Sequence, residues 1–165
     1  MSTTIITSLI LCATEFLTIV LASPMAKPTL VLRFLPEVIR AAAKDHPEPP
    51  KWKQMIAHIL FAIILLTFIG GIVFLGFDGL KHGYGFWKLT LRFIITLYIV
   101  KLFDIVVQDQ RLVMTTDFFQ RIFPETKDCA GWHDRGFNDQ NQLIRIVTYP
   151  FLCMLTAALF LWLGG

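Results

Sequence analysis

The sequence has few of the features that mark a soluble enzyme. Only 16% of its 165 residues are charged, whereas about a quarter are charged in a typical soluble domain. It contains no Gly-rich phosphate-binding motif and no His-Glu-x-x-His zinc motif, and four histidines are too few for a histidine-box membrane oxygenase. These absences argue against the enzyme classes that such motifs identify, and we expect neither a cofactor nor a metal ion.

Cysteine residues are few, and basic residues are absent before the first apolar run. The three cysteines, Cys12, Cys129 and Cys153, are too far apart to suggest a disulfide framework. No Lys or Arg precedes the first apolar run, so the basic region of a signal peptide is missing and we expect an uncleaved first helix. The net charge is only +3, and the aromatic residues lie in apolar runs. Nucleic acid is therefore not an expected partner.

Long apolar runs are what the sequence has in abundance. Hydrophobic residues make up 55% of the chain, and four runs, at residues 5–22, 56–77, 86–107 and 143–163, approach or exceed the roughly 20 residues that cross a bilayer as a helix. An isolated strand could not satisfy its backbone hydrogen bonds in lipid. The sequence predicts an all-α, polytopic integral membrane protein with four transmembrane helices in a single domain covering residues 1–165.

Lys and Arg are distributed unevenly between these runs. They are frequent in the segments 27–53 and 111–145 and absent from both ends of the chain. By the positive-inside rule, we expect both large loops to be cytoplasmic and both termini to lie outside the cell membrane.

The first loop contains an amphipathic pattern over residues 36–44, where Pro36 can occupy the first turn of a helix. Its charged edge is formed by Arg33, Glu37, Arg40 and Lys44, and its apolar side by Val31, Leu35, Val38, Ile39 and Ala42. We expect an interfacial helix on the inner membrane face, with the basic edge at the lipid head groups. Packing of this helix against the protein's own bundle would give the same periodicity, so this alternative stays open.

The second loop, residues 108–142, also has helical and polar signals. Asp117 and Gln120 resemble a helix-start box, and the short helix that follows should end at Pro124. Its apolar side consists of Phe118, Phe119, Ile122 and Phe123. Farther on, Cys129 and His133 have a spacing found in metal sites, but no second close pair would complete a zinc site.

Several polar residues fall inside the predicted spans. Glu15 lies near the middle of the first span, where an ionisable residue is a functional-site candidate by default. On the third helix a polar stripe within roughly an 80° arc is formed by Lys101, Asp104, Gln108 and Arg111. We expect this stripe to face inward and to bring Lys101 or Asp104 close to Glu15. Arg92 lies on nearly the opposite side, so we expect it to serve another contact at the outer leaflet.

Two resemblances bear on these residues. An acidic residue midway along the first of four helices resembles the small multidrug-resistance exporters, although the two long loops depart from that compact family. The run from Leu102 to Asp109, followed by Phe123-Pro124-Glu125 and later by His133, looks like uncharacterised four-helix bacterial membrane proteins. The first resemblance implies an intramembrane acidic site, and the second implies a fold but no activity.

Three functional hypotheses follow. In the leading one, the protein binds or transports an amphipathic or cationic small molecule at Glu15, with Lys101, Asp104, Gln108 and Arg111 completing the site. In the second, a membrane enzyme acts on a lipid-like substrate at the cytoplasmic face; besides Asp104, its site residues would be Asp109, His133, Asp134 and Arg135. In the third, the chain is a non-catalytic subunit that docks a partner. The bilayer is the expected partner in all three, and a homo-oligomer stays open.

Overall fold

The computed structural model describes residues 1–134 and 136–164, which are helical and contain no strand. The seven α-helices are α1 (Ser2–Ala22), α2 (Pro28–Leu32), α3 (Glu37–Ala42), α4 (Lys51–Lys81), α5 (Phe86–Phe103), α6 (Phe118–Ile122) and α7 (Asp139–Gly164). A π-helical segment, Asp104–Val113, continues α5, and two short 3₁₀ turns follow α6. The predicted all-α class is thus confirmed.

Three helices, α1, α4 and α7, are long and apolar enough to cross a membrane. Each contains one of the predicted apolar runs, because apolar residues continue in a single helical segment between polar ends. The fourth predicted span, residues 86–107, is not among them. Its helix α5 has 18 residues and carries Lys88, Arg92 and Lys101, which lower its hydropathy. The structure therefore confirms three of the four expected span candidates.

Helix α5 packs against α1, α4 and α7. Its buried residues include Arg92, which is only 4% exposed. The Arg92 guanidinium forms an ion pair with Asp78 of α4, at 2.5 Å, and donates hydrogen bonds to Thr4 Oγ1 at 3.0 Å and to the Leu75 carbonyl at 3.1 Å. The sequence predicts that Arg92 serves a contact away from the polar stripe, and Asp78 with two further acceptors provides it. These partners hold the side chain among the helices, and its position relative to a leaflet stays a prediction.

The connection between α4 and α5 is short and depends on glycine. Gly83 has a φ of +66°, a left-handed conformation that residues with a Cβ atom rarely adopt. The Tyr84 amide then donates to the Gly79 carbonyl, which closes the end of α4 in the manner of a Schellman turn. This places α4 and α5 side by side as a hairpin. We call this the hairpin end of the bundle and the opposite one the loop end.

At the loop end the two long loops share one core. Leu35 and Ile39 from the first loop are buried together with Phe119, Phe123 and Trp132 from the second. The predicted helix in the first loop is confirmed as α3, but its apolar side is divided between two environments. Ile39 is fully buried against the second loop, whereas Val38 is 57% exposed. Leu35 and Ile39 therefore pack against the protein itself, which is the alternative that the sequence left open.

The second loop contains the expected short helix as α6, which ends before Pro124. The predicted helix start is confirmed in position, since Asp117 is the N-cap of α6, but Asp117 makes no side-chain capping bond. Its φ and ψ of −86° and 18° lie outside the extended region that a capping residue usually adopts. The Asp117 carboxylate instead accepts hydrogen bonds from Arg121, and this guanidinium lowers the pKa of Asp117.

Candidate functional site

A cavity of about 920 Å³ lies at the loop end of the bundle. Its size suits a drug-sized ligand, for which cavities of about 300–1,000 Å³ are usual. Its acidic and amide lining comes from α1, α3, the π-helical segment and the loops, and includes Glu15, Glu37, Asp104, Gln108, Asp109, Asp134 and Asn138. Its apolar lining includes Ile19, Phe34, Val38, Phe61, Ile64 and Phe137. The cavity is therefore amphipathic, with carboxyl groups set among apolar side chains.

The π-helical segment decides which residues of the third long helix reach this cavity. In a π-helix each amide bonds to the carbonyl five residues earlier, so residues i and i+5 lie closer to the same face than they do in an α-helix. Asp104 and Asp109 have this spacing, and both line the cavity. On an α-helical wheel these two residues lie on different faces. The prediction from α-helical spacing therefore grouped Asp104 with Arg111 instead of with Asp109.

Of the predicted stripe, Lys101 does not line the cavity, and the structure places Arg111 elsewhere. Its side chain is exposed and does not line the cavity, because the wider π-helical turn rotates it away from the face of Asp104. The structure therefore does not bring Arg111 to the cavity with Asp104 and Gln108. Lys101, by contrast, is only 4% exposed and forms the expected ion pair with Asp104.

Asp109 is held in place by two amide side chains. Its Oδ2 atom accepts hydrogen bonds from Gln142 Nε2 at 2.6 Å and from Asn138 Nδ2 at 3.3 Å. Burial raises the pKa of Asp109, and the nearby negative charge of Asp104 raises it further, while the two amide donors act in the opposite direction. The carboxyl group is thus fixed in orientation and inclined to retain a proton.

Glu15 and Gln108 both line the cavity, and the Gln108 side chain lies close enough to the Glu15 carboxylate to act on it as a hydrogen-bond donor. Even so, Glu15 Oε2 and Gln108 Nε2 are both buried without a hydrogen-bond partner of acceptable geometry among residues 1–134 and 136–164. Buried polar atoms are normally hydrogen-bonded. One acceptor and one donor of the cavity are therefore available to a ligand.

The residues of the second hypothesis are only partly brought together. Asp109 and Asp134 line the same cavity as Glu15. His133 is exposed and does not line it, because the 3₁₀ turn Ala130–His133 buries Trp132 in the core and leaves the histidine outside. Arg135 lies outside the described residues.

Three arginines that the sequence analysis did not assign to a site also line the cavity: Arg33, Arg40 and Arg145. The sequence places Arg33 and Arg40 on the edge of an interfacial helix and Arg145 at the start of the last span. No spacing rule connects the three, because they belong to separate elements that come together only in the folded structure. Only the tertiary structure could have identified them as a group.

The described part of the chain contains no group of three or more His, Cys, Asp or Glu side chains arranged to hold a metal ion. No protein-family model, curated protein or solved structure matches this chain. Functional inference therefore depends on the cavity and its charges.

Proposed function

We propose that this chain is a small integral membrane protein that binds an amphipathic cation in the loop-end cavity, with Glu15 as the principal ligand group. The observation that carries the proposal is the buried, unpartnered Glu15 Oε2 atom in an apolar spanning helix, facing a cavity large enough for a ligand. An ionisable group at such a depth is costly unless it has a function or a partner. A cation with an N–H group would supply that partner.

The environment of Glu15 favours a cation over an anion. Asp104 and Asp109 act on Glu15 with like charge, and Lys101 is the nearby positive group. Because Lys101 is paired with Asp104, its charge is largely compensated. A bound ammonium group would offset the remaining negative charge. The apolar wall, which includes Phe61 and Ile64, would hold the hydrocarbon part of the ligand.

We further propose that α5 is a fourth transmembrane helix and that the cavity opens to the cytoplasm. Helix α5 packs on all three span candidates, and its charged residues Arg92 and Lys101 are buried inside the bundle and paired. A polar helix can cross lipid when its charges face the bundle interior. The excess of Lys and Arg in the two long loops supports a cytoplasmic loop end.

A second candidate function, an enzyme acting on a lipid-like substrate, is favoured by one observation. Asp109 has a fixed orientation and a raised pKa, and it shares the cavity with Asp104 and Asp134. Raised pKa values are common for general acids and bases. The histidine that this hypothesis had included, His133, lies outside the cavity, so the carboxyl groups alone would have to carry the chemistry.

The binding of tetradecylamine, a simple amphipathic cation, tests the proposed function. With purified full-length protein in dodecyl maltoside, we expect Glu15→Gln to weaken binding about tenfold to a hundredfold, because a hydrogen bond to a charged group contributes about 1.5–3 kcal/mol. The matched control is Asp117→Asn, which removes an exposed carboxylate outside the cavity. Equal affinity of the Glu15→Gln variant and the unaltered protein would contradict the proposal.

A further inference from the structure

The cavity that Glu15 lines is also lined by three arginine side chains, which the binding of a simple amine would not need. Arg33 follows α2, Arg40 lies in α3 and Arg145 lies in α7, so three separate elements bring guanidinium groups to one cavity. The ion pairs within the described residues join none of the three to a carboxylate. Arg40 donates a hydrogen bond to the Leu35 carbonyl, and Glu37 lines the same cavity without forming an ion pair to any of the three.

These arginines are not among the charged groups that act on Glu15. The charges that act most strongly on Glu15 are those of Asp104, Lys101 and Asp109, and no arginine is among them. The cavity thus contains both signs of charge, with carboxyl groups around Glu15, three arginines, and Glu37 between Arg33 and Arg40 in the chain. A ligand with a single charge would pair with only one of these two sets of groups.

Gln108 adds a specific polar group close to Glu15. Gln108 lines the cavity and is only 4% exposed. Its Nε2 atom has no hydrogen-bond partner of acceptable geometry among the described residues. An amide N–H donates only to an acceptor, such as a carbonyl, hydroxyl or phosphate oxygen. The ligand is therefore expected to carry an oxygen acceptor near its cationic group.

We propose that the ligand is a zwitterionic amphipath that carries an ammonium group, a phosphate and a single or double acyl chain, as in an ethanolamine phospholipid. This inference deepens the proposed function, since the ammonium group is the cation that Glu15 binds. The arginines bind the phosphate, because the planar guanidinium fork matches phosphate oxygens in a bidentate manner. The acyl chain leaves past Phe34 and Val38, which line the cavity and are 65% and 57% exposed.

Four probes distinguish the parts of this ligand. Myristoyl lysophosphatidylethanolamine carries both charges and a chain, tetradecylamine only the cation and a chain, myristoyl lysophosphatidylglycerol only the anion and a chain, and O-phosphoethanolamine both charges without a chain. With the full-length protein in dodecyl maltoside, binding is measured by native mass spectrometry. We expect the first probe to bind at least about tenfold more tightly than each of the others.

Paired variants assign each charge of the ligand to one of the two sets of groups. The double substitution Arg33→Ala and Arg40→Ala should weaken the lysophosphatidylethanolamine complex about tenfold or more and leave tetradecylamine binding unchanged, which also shows that the variant is folded. Arg121→Ala is the matched control, because Arg121 is exposed and lies outside the cavity. Glu15→Gln should weaken both amine probes and leave lysophosphatidylglycerol binding unchanged.

The outcomes separate this inference from the proposed function. If lysophosphatidylethanolamine binds no more tightly than tetradecylamine, or is insensitive to the double arginine substitution, the zwitterion inference is wrong while cation binding at Glu15 stands. If O-phosphoethanolamine binds as tightly as the lysolipid, a free head group and not a lipid is recognised. If neither amine probe responds to Glu15→Gln, the proposed function itself fails.

Discussion

The phenol of Tyr98 in α5 donates a 2.8 Å hydrogen bond to the backbone carbonyl of Ile146 in α7. Four residues after Ile146 comes Pro150, which lies inside α7 and has no N–H to donate to that carbonyl. Tyr98 therefore replaces the hydrogen bond that the proline removes. The two helices are joined at the point where α7 is weakest, next to the part of α7 that carries the cavity residue Arg145.

The first prediction follows from this contact. Tyr98→Phe should destabilise the protein by about 1–3 kcal/mol, because it leaves the half-buried Ile146 carbonyl without a donor. Adding Pro150→Ala should restore most of the loss, since the new amide can donate to the same carbonyl within the helix. Denaturant unfolding in detergent measures both effects. An equal loss with and without Pro150→Ala would show that Tyr98 stabilises the bundle in some other way.

The second prediction concerns the pH dependence of stability. The pKa of Asp109 is raised in the folded protein, mainly by burial, so the folded state holds this proton more firmly than the unfolded state. Folding stability should therefore fall as the pH rises from the unfolded pKa through the folded pKa of Asp109. Asp109→Asn should remove this part of the decline and raise the thermal midpoint at alkaline pH relative to the unaltered protein.

Thermal unfolding curves from mildly acidic to alkaline pH test this second prediction, with Asp117→Asn as the control. The pKa of Asp117 is lowered by Arg121, so its contribution has the opposite sign and disappears as the pH falls. A thermal midpoint for Asp109→Asn that follows the unaltered protein at every pH would contradict the assignment.

The third prediction concerns the ion pair between Asp78 and Arg92. Asp78→Asn should lower the free energy of unfolding by about 3–5 kcal/mol, because it leaves the Arg92 charge buried without its anionic partner. Arg92→Met should cost less, since the Asp78 side chain is 21% exposed and can be hydrated in part. Unfolding in detergent gives the order of the two variants. The reverse order would mean that Arg92 is stabilised mainly by Thr4 and the Leu75 carbonyl.

The fourth prediction concerns orientation in the membrane. In a variant whose three cysteines, Cys12, Cys129 and Cys153, are replaced by alanine, a thiol at Lys44 should react with an impermeant reagent only after permeabilisation. A thiol at Ser2 should react in intact cells. Both positions are exposed, so access depends on the side of the membrane. The opposite labelling pattern would invert the proposed topology.

The sequence predicted the parts of the fold that depend on local pattern. The long apolar runs became α1, α4 and α7, and prolines correctly marked the start of α3 and the end of α6. The ion pair between Lys101 and Asp104 also followed from helical spacing. These features depend on residues close in the chain, so periodicity was sufficient to identify them.

The remaining features depend on contacts that the sequence does not encode locally. The π-helical segment places Asp109 and Arg111 on different faces from those that an α-helix would give them. No residue between Asp104 and Val113 indicates that the helix changes from α to π. The arginines of the cavity come from distant elements. Ile39 looked like a membrane contact because its partner, the second loop with Trp132 and Gly131, lies far away in the chain.

The hairpin formed by α4 and α5 has a consequence for biosynthesis. An arginine near the middle of an isolated helix costs about 2.5–3.5 kcal/mol for insertion by the translocation machinery, and α5 carries two further lysines. Asp78 in α4 and Arg92 in α5 lie on either side of the short turn at Gly83 and form an ion pair. The two side chains can therefore neutralise each other before insertion. In the proposed topology with four transmembrane helices, α5 would enter the bilayer together with α4 as one unit, because α4 carries the partner that neutralises Arg92.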